Sequence, residues 1–165
     1  MTIRALTDAD IDAYREIRLR ALAADPAAFS STHAREAGFD DATWRARIAG
    51  FDDRVGQIFV SERDGETAGV VGVGDSPEPS DCVVWGMWVD PGHRGDGLGR
   101  VLLDAAVGWA RQRGAATVTL WVMRTNATAK NLYERYGFVE QPFGRDDAPA
   151  GCTGEPCLRL TLSES

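Results

Sequence analysis

The residues with the clearest capacity for chemistry form one stretch, Val89-Asp90-Pro91-Gly92-His93-Arg94-Gly95-Asp96-Gly97-Leu98-Gly99, followed at once by Arg100. Glycines at 95, 97 and 99 leave this backbone without Cβ atoms, so an anion can come close to its N–H groups. Arg94 and Arg100 bracket them with full positive charge. A helix starting here would add unpartnered N–H groups and the positive end of its dipole. The chemistry implied is the binding of a phosphate or pyrophosphate. The spacing excludes two familiar forms of such a site. A dinucleotide fingerprint needs G-x-G-x-x-G, and the glycines here fall as G-x-G-x-G. A P-loop needs Lys and then Ser or Thr after its last glycine, and Arg100 and Val101 follow Gly99.

A second constellation lies downstream: Asn126, Ala129, Leu132, Tyr133, Glu134, Tyr136, Gly137 and Phe138. Asn126 stands seven residues before Tyr133, and a Gly-Phe pair follows. Together, Arg94-x-x-Gly97-x-Gly99 after Val89-x-Pro91 and this asparagine–tyrosine pattern resemble the two signatures of the GNAT superfamily of acyl-coenzyme A-dependent N-acetyltransferases. The resemblance covers residues 57–141 and is weaker at both ends. It implies a single-domain GNAT-like acyl-CoA N-acyltransferase fold, acetyl-CoA as co-substrate, and transfer of an acetyl group to a primary amine by direct attack in a ternary complex. A non-catalytic acyl-CoA sensor of the same fold is the alternative.

The resemblance also assigns roles. Backbone N–H groups from Arg94 through Gly95, Asp96, Gly97, Leu98 and Gly99 to Arg100 would hold the pyrophosphate. Met87, Trp88 and Val89 would pair with the pantetheine arm, where two parallel strands splay apart. A backbone N–H near Val89 would stabilise the tetrahedral oxyanion. Asn126 and Ala129 would contact the coenzyme, although position 126 equally suits a helix N-cap. Tyr133 would protonate the leaving thiolate, since an ordinary tyrosine pKa near 10 keeps its proton available.

These residues need a strand, a loop, a helix, a second strand and a second helix to position them. The apolar run 82–89 reads as a buried strand feeding the loop. Residues 98–113 read as a helix with Leu98, Val101, Leu102, Ala105 and Trp109 on its apolar face, ended by Gly114. A strand at 117–122 and a helix at 126–136 follow. Upstream, 2–6 reads as a strand, Thr7 or Asp8 caps a helix to about Ala24, and Asp25-Pro26 stops it. Residues 27–39 show no period and read as a loop or an irregular helix. A helix capped by Asp40 or Asp41 buries Trp44 and Ile48. Strands at 57–63 and 66–73 flank an Asp64-Gly65 hairpin turn. The glycines at 69, 72 and 74 predict a close backbone approach. Strands at 138–141 and 155–162 enclose a loop at 145–154, and 163–165 read as a disordered tail. The sum is an α/β domain with a mixed central sheet and helices on both faces.

A chain of 165 residues with 44% hydrophobic and 26% charged residues is expected to form one domain, 1–165, with one core. A net charge of −7 argues against non-specific nucleic-acid binding. No apolar run reaches membrane-spanning length and the N-terminus lacks a signal-peptide core, so a cytoplasmic protein is expected. Cys82, Cys152 and Cys157 lack the ligand partners for a zinc site, and no metal is expected. The partner is a small-molecule or peptide amine, with a homodimer possible. No Asp, Glu or His lies within 82–89, so the strand offers no general base. Asp81, Glu36 and His33 are the nearest candidates. Trp85 and Trp88 have opposite parity, which sends one to the acceptor side and one to the core.

Overall fold

The computed structural model describes residues 1–51, 53–142 and 155–163. The chain runs β1 (Thr2–Ala5), α1 (Ile11–Ala24), α2 (His33–Ala37), α3 (Asp41–Ala49), β2 (Gly50–Phe51), β3 (Arg54–Arg63), β4 (Glu66–Asp75), β5 (Asp81–Val89), α4 (Leu98–Gln112), β6 (Thr117–Trp121), α5 (Ala127–Tyr136), β7 (Val139–Glu140) and β8 (Cys157–Thr161). The sheet order is β1-β3-β4-β5-β6-β8-β7, with β2 paired to β3 outside that path. Every pairing is antiparallel except β5 with β6. That parallel pair needs a crossover, and α4 supplies it.

Local chemistry sets the element ends. Thr7 and Asp10 form a reciprocal capping box ahead of α1, and Asp40 caps α3 through Thr43 N–H at 2.8 Å. Asp64 and Gly65 both take positive φ, 53° and 80°, as a type I′ hairpin turn requires. Gly114, at φ 79°, closes α4.

Two apolar clusters sandwich the sheet. One joins α4 and α5 to Val71, Val73, Cys82, Val84, Val118 and Leu120. The other joins α1 and α3 to Ile58, Val60, Val70 and Trp88. Alternation along β4 divides its side chains between them, as a strand buried on both faces must.

β5 breaks that alternation. Its register against β4 slips between Val70↔Trp88 and Gly72↔Trp85, so one residue on β4, Val71, faces two on β5, Gly86 and Met87. The extra residue is at Gly86, whose φ is 60°. This β-bulge overturns the opposite-parity expectation: Trp85 and Trp88 both pack on the α1–α3 side, while Met87 and Val89 turn to the α4–α5 side.

Two further expectations need correction. The buried face of α4 is Leu98, Leu102, Leu103, Ala106, Val107 and Ala110, with Val101, Ala105 and Trp109 only partly covered. The sheet fixes the face, and several phases of an alanine- and leucine-rich helix satisfy the same period. The β4 glycines meet a backbone, a Cβ on Gly74 lying 3.0 Å from the Val55 carbonyl oxygen, but they also meet a side chain. A Cβ on Gly72 would lie 2.3 Å from Trp85 Cε2, and one on Gly74 would lie 3.1 Å from its Cζ3. Residues 27–39, which show no period, contain α2, whose N-cap is Thr32. The loop at 145–154 and Cys152 lie outside the described residues, as do 164 and 165 of the tail.

Candidate functional site

The site begins where β5 and β6 part. Their ladder holds only Asp81↔Thr117, Cys82↔Val118 and Val83↔Thr119. Beyond Val83, the edge of β5 that faces β6 has no strand partner among the described residues. Asp90 N–H donates to the Ala68 carbonyl at 2.9 Å. Ladder alternation therefore turns the N–H and C=O of Val89, opposite Gly69, away from β4 and toward the gap. The Val89 carbonyl is met there by Arg94 Nε at 2.9 Å.

The loop after β5 turns back through Pro91–His93 and enters α4 at Gly97. Gly95 and Gly97 sit at φ 91° and 82°, where a side chain would be strained, and no atom stands within 4 Å of a Cβ at either position. Gly97 is an N-cap without a side chain, so no protein group covers the first N–H groups of α4 from that position. Gly99 is required for another reason. A Cβ there would meet Leu132 Cδ2 at 2.7 Å, so its role is to seat α5 against α4.

These elements enclose a cavity of about 810 Å³. Met87, Trp88, Val89, Arg94, Gly95, Gly97, Leu98, Gly99, Arg100, Asn126, Ala129 and Tyr133 all line it. Asp96 does not: it points away and pairs with Arg63 of β3. Asn126 caps α5, its Oδ1 accepting from Ala129 N–H at 3.2 Å, and still reaches the cavity wall. Tyr133 is 7% exposed, its ring edge-on to Phe138 at 5.9 Å. Its hydroxyl has no hydrogen-bond partner among the described residues, and burial pushes its pKa up. Tyr136, by contrast, donates to Asp104 at 2.7 Å and is the structural tyrosine of the pair. Gly137, at φ 126°, ends α5, and Phe138 N–H then bonds the Tyr133 carbonyl at 3.0 Å, which fixes the turn carrying the tyrosine.

None of the three candidate bases reaches this cavity. Asp81 accepts from Thr117 and Thr119 at the zipped end of β5, roughly 25 Å along the strand from Val89. His33 is exposed on α2. Glu36 is fully buried between Arg18, at 2.9 and 3.0 Å, and Arg47, at 2.7 Å. Burial opposes its charge, but the Arg18 hydrogen bonds prevail and hold its carboxyl at about 2.

One cavity residue had no signal of its own in the sequence. Asp25, at the end of α1, accepts from Trp88 Nε1 and from Arg94, both at 2.7 Å. The Trp88 bond, with Arg94 beside it, holds its carboxyl below the usual range. Its partners lie 63 and 69 residues away, so local pattern shows only a helix stop.

A mixed sheet whose central parallel strands part over a glycine-rich helix N-terminus defines an acyl-CoA N-acyltransferase type of α/β domain. The comparisons agree. Residues 14–138 match the acetyltransferase (GNAT) family, and the chain belongs to it. It is 30% identical over 169 residues to mycothiol acetyltransferase of Cellulomonas flavigena, across 94% of this chain and 46% of that protein. It is 43% identical over 76 residues to streptothricin acetyltransferase of Streptomyces lavendulae, across 46% of this chain and 40% of that one. The chain thus spans less than half the length of these two curated relatives. The structure of yncA from Salmonella typhimurium with its cofactor acetyl-CoA matches at a TM-score of 0.73 and 26% identity, covering 100% of this chain and 95% of that one. Among the described residues, no helix is long and apolar enough to cross a membrane.

Proposed function

We propose that the protein is an N-acetyltransferase that moves an acetyl group from acetyl-CoA to a primary amine by direct attack in a ternary complex. The observation that carries this reading is the open edge of β5 beside the uncapped N-terminus of α4. The residues present fit the coenzyme: Gly95 and Gly97 leave a cradle without side chains, Arg100 adds a positive group, and the free edge from Met87 to Val89 suits an amide-bearing arm.

Acetyl-CoA supplies a thioester carbonyl and a thiolate leaving group. The chain supplies the remainder. The N–H of Val89 donates to the oxygen that gains charge as the amine nitrogen bonds to the carbonyl carbon. Tyr133 gives its phenolic proton to the sulfur as the C–S bond breaks, and burial keeps that proton in place until then. The attacking amine releases its own proton to solvent.

The test is thiol release from acetyl-CoA across a panel of primary amines. Amine-dependent release is expected. Binding of acetyl-CoA with no release for any amine would overturn the catalytic reading and leave a binding protein of the same fold.

A further inference from the structure

We infer that Asp25 is the binding residue for the acceptor, and that the acceptor is an amine carried to the site as its ammonium cation. The inference rests on the transferase reading above. Asp25 is the only carboxylate lining the cavity among the described residues; the other charged or titratable groups there are the basic His93, Arg94, Arg100 and Arg135, with Tyr133 and Tyr136. Its negative charge, ion-paired to Arg94, is set in a wall of a cavity whose other charged groups are basic.

Asp25 meets the glycine loop through the Arg94 side chain. It stands on the segment from Ala24 to Ala28, the wall formed by the end of α1, against Trp88 of β5. Both of its protein hydrogen bonds, from Trp88 Nε1 and from Arg94, land on Oδ2. Oδ1 has no hydrogen-bond partner among the described residues, and the side chain is 32% exposed. A carboxylate oxygen accepts through its lone pairs, so Oδ1 can take an N–H donor of an ammonium group. Trp88 and Arg94 meanwhile fix the carboxylate's orientation, and the adjacent Val89 carries the oxyanion donor. An ammonium on Oδ1 is held in the cavity that Trp88 and Val89 also line. It gives its proton to solvent before the nitrogen attacks.

The clamp on Trp88 and the binding of a cation are separable. In Asp25→Asn the amide oxygen can replace Oδ2 under Trp88 and Arg94, while the NH₂ replaces Oδ1. In Asp25→Ala both are lost. The experiment measures kinetics of both variants on every amine of the panel that the wild type acetylates. The panel includes benzylamine, a cation at neutral pH, and aniline, which is neutral there. Asp25→Asn is expected to raise KM for cationic acceptors at least 10-fold. Its KM for acetyl-CoA, its kcat and its KM for any neutral acceptor stay within about 2-fold. Asp25→Asn matching the wild type on cationic amines, with Asp25→Ala alone impaired, would overturn the inference and leave Asp25 a positioning residue. So would a wild type stabilised by acetyl-CoA that acetylates no cationic amine. Absence of any acetyl-CoA stabilisation would instead overturn the transferase reading.

Discussion

The two faces of the sheet are built differently. The α4–α5 side is an apolar interface with its polar work at one rim, where the glycine loop and Tyr133 meet the cavity. The α1–α3 side buries charge. Arg18, Glu36 and Arg47 sit among Tyr14, Trp44, Phe29 and Phe39, with Tyr14 edge-on to Trp44 at 5.5 Å and Arg18 over Phe29 at 4.8 Å. An apolar interface tolerates many sequences of similar volume, whereas a buried ionic cluster holds only if every partner is present. Damage at the glycine loop and Tyr133 should therefore appear mainly in turnover, and damage to the buried ionic cluster mainly in folding.

The largest effect is expected from Tyr133→Phe. It keeps the ring and removes the proton, so kcat should fall about 10²- to 10⁴-fold with KM for acetyl-CoA and melting temperature nearly unchanged. Steady-state kinetics at saturating amine decide it, and an unchanged kcat would remove Tyr133 from the chemistry. On the other face, Glu36→Ala leaves two arginines without their anion and should destabilise by about 3–5 kcal/mol in urea unfolding. Glu36 also sets an acid limit. Its folded-state pKa of about 2 lies below its ordinary value of 4.5, so its stabilisation is complete above 4.5 and is lost as pH falls toward 2. Glu36→Gln should flatten the stability–pH curve in that window.

Gly72→Ala is a smaller test of the same face. Its Cβ would press on the Trp85 indole at 2.3 Å, and a cost of about 1–3 kcal/mol is expected without loss of acetyl-CoA binding. Gly97→Ala, at the coenzyme rim, has open space and only its φ of 82° to oppose it. A stability loss of about 1–2 kcal/mol should accompany a higher KM for acetyl-CoA. If Gly97→Ala changed KM as little as Gly72→Ala, the two faces would not divide function from folding.

The same contrast explains what was legible. The strand, loop, helix, strand and helix from 82 to 136 follow from short-range pattern, because loop glycines and caps act on neighbours. Of the residues that the family resemblance assigned to the coenzyme, Asp96 alone is turned out of the cavity, by a partner on β3. The α1–α3 side depends on contacts between distant residues. Glu36 reads as a surface group until Arg18 and Arg47 close on it, and Asp25 reads as a helix stop until Trp88 and Arg94 reach it. The bulge at Gly86 is equally hidden. One added residue moves Trp88 to the opposite face, and strand alternation cannot show it.

The measurement that bears most directly on the parted strands is thermal unfolding with acetyl-CoA, coenzyme A, ATP and NADH in parallel. A ligand at about 100 times its Kd stabilises a protein by roughly 2.7 kcal/mol. A rise in melting temperature with the two coenzyme A species, absent with NADH, is the expected result. Stabilisation by ATP or NADH without any by acetyl-CoA would contradict it.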